Sequence, residues 1–481
     1  MAIALTAAVL LGGCVVGPKY KPPTADTPPA FRGQEGAAQA ASIADLPWWE
    51  IFQDKTLQGL VHEAIEKNYD LRIAVRRVEQ AYELKLQAHS QYYPGVGYQA
   101  GISRGKNEAL GSPFLIGGQT ETSVLAGFGA SWELDLWGKI RHMNEKALAA
   151  YLASEDAKRG VILSLVGRVA QAYYELLELD LRLDIARRTV DTFHGSLKLF
   201  QERLQGGAAS RVETTRAEAA LASTAAQVPE IERQIALKEN EIRILLGSNP
   251  GAVPRNSKLL DQTLPPEVPA GLPSKLLERR PDVLAAEQAV RAANAQIGIA
   301  KADYFPTLTL TGLLGRASSP LDAFTAGSSN VWSLAANAVG PIYAGGALRS
   351  AKRQAVAAWE QTQLEYQQTA MNAFRDVSNA LITRQQLEAT RGEQAHAVEA
   401  YKDAVAVSMQ RYQAGKANYF EVLEAQQLMY PAEVALAMTE LNRRLVIVQL
   451  YQALGGGWNL KDAEWSGPQA AGATPKTAPS K

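Results

Sequence analysis

The chain has 481 residues, and its 49 Lys+Arg against 49 Asp+Glu give no electrostatic ground for a nucleic-acid partner. Its single cysteine excludes an internal disulfide. Aromatic residues make up only 7%, while alanine, glutamine and glutamate crowd the long segments, as helical rods require.

The apolar run from Met1 to Leu11 is too short to span a bilayer and suits the core of a signal peptide. No basic residue precedes it, a departure from the usual signal pattern. The run closes on Leu11-Gly12-Gly13-Cys14, which resembles the lipobox of bacterial lipoproteins. In that resemblance residues 1–13 are a signal peptide and Cys14 is lipidated as the first mature residue. Val15 stands where inner-membrane lipoproteins carry aspartate, which by the same resemblance points to the outer membrane. Pro18, Pro22, Pro23, Pro28 and Pro29 exclude helix and central strand, so 14–46 is expected to be an extended, lipidated tether.

The rest of the chain is written twice. Asn68-Tyr69-Asp70-Leu71 through Tyr92-Tyr93-Pro94 lines up with Arg280-Pro281-Asp282-Val283 through Tyr304-Phe305-Pro306. Further on, Arg203-Leu204-Gln205-Gly206-Gly207 matches Arg411-Tyr412-Gln413-Ala414-Gly415. A first repeat over 47–247 and a second over 268–455 are separated by a proline-rich linker, 248–267. In each, a helix (Thr56–Gln91; Ser274–Asp303) stops before an aromatic-proline pair. Two strands follow, Val96–Arg104 and Ser123–Leu136, or Thr307–Gly315 and Val331–Ile342, around glycine-rich loops 105–121 and 316–330. A long helix then starts at Gly138-Lys139, or near Gly345-Gly346, and turns at Gly207 or Gly415. The closing helices, Val212–Leu246 and Tyr419–Leu454, are expected to kink at Pro229 and Pro431. The C-terminal segment, 456–481, is expected to end in disorder because glycine, alanine, proline and threonine fill it.

Lys139 to Gln205 contains no proline. Ile162, Val169, Leu176, Leu183, Val190, Leu197 and Leu204 recur every seventh residue, and Leu165, Ala172, Leu179, Ala186, Phe193 and Phe200 follow three places behind. Two interlocked sevenfold series form a coiled-coil seam. Unbroken, this helix reaches roughly 100 Å and needs partner helices of similar length to hide its stripe. Each repeat supplies two strands, four per chain, and four strands cannot close a barrel. The alternation of Trp332, Leu334, Ala336 and Ala338 with polar or small residues is the weak two-residue period of a membrane barrel. Three chains of four strands reach an even-numbered barrel of 12.

No catalytic constellation stands out. His62, His89, His142, His194 and His396 lie singly on predicted helices, without a second histidine at metal-ligand spacing. There is no phosphate-binding glycine loop and no nucleophile elbow. No enzyme activity, cofactor or metal is therefore expected.

Four pieces carry a family resemblance. They are Pro47-Trp48-Trp49-Glu50-Ile51-Phe52-Gln53-Asp54, Trp132-Glu133-Leu134-Asp135-Leu136-Trp137-Gly138, Arg279-Arg280-Pro281-Asp282-Val283 and Gly340-Pro341-Ile342-Tyr343-Ala344-Gly345-Gly346. In this order, inside a duplication, they resemble the TolC family of outer-membrane efflux proteins, in its lipoprotein branch that serves tripartite, resistance-nodulation-division type systems. The resemblance implies a mainly α protein with a β-barrel part. That protein is a homotrimer, with a 12-stranded transmembrane β-barrel continuing into a 12-helix periplasmic α-barrel. Implied partners are a periplasmic membrane-fusion adaptor, an inner-membrane efflux pump and outer-membrane lipid. The implied function is a passive exit channel for small molecules in a Gram-negative outer membrane. A duct for protein secretion, or a non-channel coiled-coil scaffold, are the competing readings. With only six methionines, nothing points to a methionine-lined metal path, and drugs, dyes and metals remain open as cargo.

The resemblance also places a periplasmic constriction at the turns around Gly207 and Gly415. Its positions here are Tyr412, Glu421, Glu424 and Glu213, with Arg211, Arg216 and Lys416 as possible cationic partners. Ala417 occupies a position that can be a gate arginine, and Arg216 is the repeat mate of Glu424. The plainer reading of these acids is that they suit the first turns of a helix through its dipole.

Overall fold

The structure is a computed structural model and describes residues 15–34, 42–106, 120–264, 269–318, 322–325 and 327–467. Cys14, the predicted signal peptide, most of the first strand loop and the end of the C-terminal segment lie outside the described residues. The chain divides into two compact units, one from residues 1–24, 77–155 and 285–366, the other from 25–76, 156–284 and 367–481.

In chain order the helices and strands are α1 (Trp48–Ile51), α2 (Lys55–Lys67), α3 (Tyr69–Ser90), β1 (Gly95–Lys106), β2 (Thr120–Leu134), α4 (Lys139–Gln205), α5 (Arg211–Ala225) and α6 (Gln227–Leu245). The second half supplies α7 (Pro273–Arg279), α8 (Pro281–Ala302), β3 (Thr307–Ser318), β4 (Asn330–Val339), α9 (Ala347–Gln413) and α10 (Tyr419–Ala453). Both long helices, α4 and α9, run 67 residues. No helix among the described residues is long and apolar enough to cross a membrane.

The first unit holds one antiparallel sheet in the order β1-β2-β3-β4. Its register sorts the strands into two faces. Tyr98 opposes Phe128, Phe128 opposes Leu314, and Leu314 opposes Trp332, so one row of large apolar side chains crosses all four strands. The even-numbered face continues with Val96, Ile102, Val124, Trp132, Leu310 and Leu334. The odd-numbered face carries glycine, serine, threonine, Gln99, Glu133 and Asn337, with a few aliphatics. The β2-to-α4 passage is fixed by Asp135, which accepts from the backbone N–H groups of Ile140 (2.9 Å) and Arg141 (3.0 Å). Trp137 stacks on Phe305 and donates to the carbonyl of Pro306. The segment after Cys14 is docked here: Val16 N–H donates to Trp137, and Tyr20 donates to Glu287.

In the second unit, the expected first helix of each repeat is two helices. The first breaks at Asn68 (ψ 131°) and the second at Arg280 (ψ 120°), equivalent positions in the repeat. Pro281 bars Arg280 from the α region, while Asn68 leaves it to cap α3, accepting from Leu71 N–H at 3.0 Å. At each break a glycine passes close. A Cβ on Gly247 would sit 2.5 Å from the Lys67 carbonyl, and one on its mate Gly455 would sit 3.0 Å from Arg279. The two closing helices differ from each other. Hydrogen bonding is interrupted at Ala226, three residues before Pro229, so the first closing helix is α5 and α6. In the second half Pro431 lies inside one continuous helix, α10.

The seam of α4 is buried unevenly. Leu165, Ala172, Leu179, Ala186, Phe193 and Phe200 are all buried, whereas Leu183, Val190 and Leu197 are half-buried and Leu204 is exposed. The tryptophan motif packs: Trp48 is buried and donates to the carbonyl of Trp465, fastening the described part of the C-terminal segment. The linker is held too, with Arg255 2.6 Å from Asp180, and Ser257 and Gln262 bonded to Asp54.

Candidate functional site

The two helix-to-helix turns end their long helices in the same way. Gly207 (φ 72°) and Gly415 (φ 70°) take the left-handed conformation that a side chain resists. The next residues, Ala208 and Lys416, donate back to the carbonyls of Arg203 (2.8 Å) and Arg411 (2.9 Å), closing the last turn.

Under the turns lies a cluster of Phe193, Phe200, Ala217, Tyr412, Tyr419 and Val422. Phe200 meets Tyr412 and Tyr419 edge-on, with ring centroids 5.4 and 5.5 Å away. Tyr412 is therefore 5% exposed, a packing residue within the chain. Burial pushes its phenol up; Arg203 opposes that shift and Glu213 adds to it. Arg203 lies 4.5 Å from the Tyr412 ring centre and donates to its carbonyl, so the cation caps the aromatic cluster.

Glu421 and Glu424 share the exposed face of the first turns of α10. Asn418 caps this helix by accepting from Glu421 N–H at 3.2 Å, so Glu421 also sits where a helix start favours an acid. Glu213 holds the equivalent place in α5, half-buried, with one carboxylate oxygen buried and lacking a hydrogen-bond partner among the described residues. The buried hydroxyl of Tyr419 likewise finds none.

Among the described residues, no ion pair joins the expected cationic partners to these acids. Arg216 lies 4.4 Å from the Phe420 ring centre, and Arg211 and Lys416 are exposed. The cation that reaches Glu421 is Arg411, at 3.7 Å. Arg203 and Arg411 are repeat mates, and an arginine recurring four residues before each turn glycine was the signal that the sequence offered for them.

Long paired helices, capped at one end by glycine turns, and a four-stranded sheet with one apolar face define the class of outer-membrane channels that carry a helical extension. The chain belongs to the outer membrane efflux protein family, whose model matches residues 60–248 and 272–456. It is similar to the solvent efflux pump outer membrane protein SrpC of Pseudomonas putida, 34% identical over 461 residues, covering 94% of this chain and 97% of the relative. It is also similar to the cation efflux system protein CusC of Escherichia coli O6:H1, 31% identical over 459 residues, covering 94% of this chain and 97% of the relative. Among solved structures, the open state of the Neisseria gonorrhoeae MtrE outer membrane channel matches with a TM-score of 0.83 at 30% identity. That match covers 92% of this chain and 99% of the other. The protein is thus an outer-membrane efflux channel component, of a family whose members are channel proteins.

Proposed function

We propose that three copies of this chain join their sheets edge to edge into a 12-stranded barrel, continued by a 12-helix tunnel, and form a passive exit duct for small molecules. The observation that carries this reading is the sheet. It has one apolar face, one polar face, and two outer edges, on β1 and β4, that no strand of the described chain pairs. Unpaired edges do not persist in a bilayer, so closure by further copies satisfies them. Exposed Leu364, Met371, Leu428 and Met438 on α9 and α10 are apolar surface for neighbouring helices to cover.

Energy comes from elsewhere, as the lack of a phosphate-binding glycine loop in the sequence suggests. An inner-membrane pump and a periplasmic adaptor engaging the helix turns supply it. A small-molecule cargo agrees with the relatives, one named for solvent and one for cations. Residues 1–13 act as signal peptide, Cys14 as lipid site, 14–46 as tether, and 248–267 as linker between the repeats.

At the tip, Glu421 and Glu424 from three chains form stacked carboxylate rings. Tyr412 holds their turn by its burial, and Glu213, with Arg211, Arg216 or Lys416, meets the neighbouring copy. Charged rings set selectivity at short range, so the closed channel prefers cations and is blocked by polyvalent ones from the periplasmic side. In planar bilayers the double change Glu421→Gln with Glu424→Gln raises conductance and weakens both cation preference and block. Trimer stability changes by only about 0–1 kcal/mol per exposed pair. Unchanged selectivity and block leave these acids as helix-start residues only. A folded monomer at micromolar concentration, read by native mass spectrometry, overturns the assembly. Palmitate incorporation into a Cys14→Ala chain removes the lipid site.

A further inference from the structure

The even-numbered face of the sheet is not uniform. Between the row Tyr98–Phe128–Leu314 and the loop end of the strands lies a notch of about 580 Å³, floored by Ala100 and Ala126. Those two alanines oppose each other across β1 and β2, and Arg316 opposes Ala126 in the same row. The small floor and the aromatic wall (Tyr98 85% exposed, Phe128 66%) give the notch an apolar surface suited to a hydrocarbon chain. At its loop end the Arg316 guanidinium is fixed by donating Nη1 to the carbonyls of Phe324 (3.4 Å) and Thr325 (2.9 Å). Carbonyls neutralise none of its charge, and Phe324 closes that side of the slot.

We propose that this notch binds one phosphate-bearing lipid of the outer leaflet, an acyl chain lying over Ala100 and Ala126 and the phosphate on Arg316. The order along the strand carries the assignment. Along β3 the apolar Leu308, Leu310 and Leu314 lie toward the helices and Arg316 and Ser318 toward the loops, with Asn330 of β4 beside Arg316, which is the order of tail and headgroup in the leaflet the loops cross. An arginine presents a planar fork that matches phosphate oxygens, and fixing the fork beforehand lowers the cost of ordering it. The proposal rests on the even-numbered face being the membrane face.

The test uses the purified full-length trimer and native mass spectrometry with added bisphosphorylated lipid A, against the same lipid after phosphatase treatment. Up to three phosphorylated lipids per trimer are expected, retained at least tenfold better than the dephosphorylated form. Arg316→Gln should abolish that preference. Ala126→Phe, which fills the floor and leaves Arg316 untouched, should lower retention of both lipids, with the trimer and its conductance intact. Equal retention of the two lipids, or wild-type retention in Ala126→Phe, overturns the site and leaves an ordinary aromatic girdle. The membrane-face reading is checked separately by brominated-lipid quenching. The quenched emission should fall in Trp332→Phe and disappear when Trp132, on the same face, is also changed to Phe; if neither tryptophan is quenched, the face assignment itself fails.

Discussion

In the first half of the chain Asn68 breaks a helix and donates its amide to the carbonyl of Leu245 at 2.9 Å. In the second half Arg280 stands at the equivalent break and donates to Ala453, the mate of Leu245, at 3.2 Å. The neighbouring ion pairs are reversed. Arg168 of the long helix meets Asp70 of α3 at 3.3 Å in one half, whereas Asp376 of the other long helix meets Arg280 at 3.1 Å. Arg168 and Asp376 occupy the same place in the repeat. Duplication has preserved the backbone contact while the chemistry that satisfies it diverged. A break, a close glycine and a donor to the last carbonyl are what the geometry demands; which residue donates, and which partner bears the charge, are free.

The largest expected effect tests the close approach. Gly247→Ala puts a Cβ 2.5 Å from a carbonyl oxygen at a positive φ, whereas Gly455→Ala meets backbone at 3.0 Å. The first should cost about 2–5 kcal/mol and the second less, read as thermal unfolding midpoints in detergent. Equal losses would mean that the two halves are equally tight. Next comes the donor. Arg280→Ala strips Asp282, Asp376 and the Ala453 carbonyl of a half-buried, charged donor and should cost roughly 1.5–3 kcal/mol. Asn68→Ala loses a cap and one bond, about 1–2 kcal/mol. A reversed order would show that the charges in the second half contribute nothing.

At the turns the same comparison is finer. Arg203→Ala removes a cation from the Tyr412 ring, worth about 0.5–2 kcal/mol. Arg411→Ala removes an exposed pair with Glu421, worth about 0–1 kcal/mol, so its signature should appear in channel conductance before stability.

A further effect is confined to acid. Glu440 is buried, which by itself raises its pKa, but hydrogen bonds from Arg391, Arg444 and Arg443 prevail and lower it to about 2. A depressed carboxyl contributes stability that is complete above its ordinary value of 4.5 and lost as pH falls through about 2. Its repeat mate Glu232 pairs with Arg187 in the open, at 2.8 Å. Acid unfolding of Glu440→Gln should therefore have a flatter slope between those pH values, and Glu232→Gln should follow the parent protein. Identical slopes in both variants would remove the distinction.

Much of this is legible in the amino-acid sequence. The strand pairs, the starts of both long helices at Lys139 and Ala347, and the turns at Gly207 and Gly415 follow from short-range signals: a period of two, a period of seven, and glycine where φ must be positive. The break at Arg280 was also present in sequence, because proline constrains the residue before it. The break at Asn68 was not, since asparagine leaves the helix there only in company with Leu71 and Leu245.

What the sequence determined by itself, then, is the duplicated order of elements and the division of the strands into an apolar and a polar face, because both are periodic and local. The tertiary structure alone decided that Arg411 and not Arg211, Arg216 or Lys416 reaches Glu421, that Tyr412 is buried against Phe200 under Arg203, and that Pro229 lies just past a helix break while Pro431 lies within a helix. The physical reason is range. A hydrogen bond or ion pair needs its atoms within about 3–4 Å, and that distance is set by how remote segments pack, which no short-range pattern encodes.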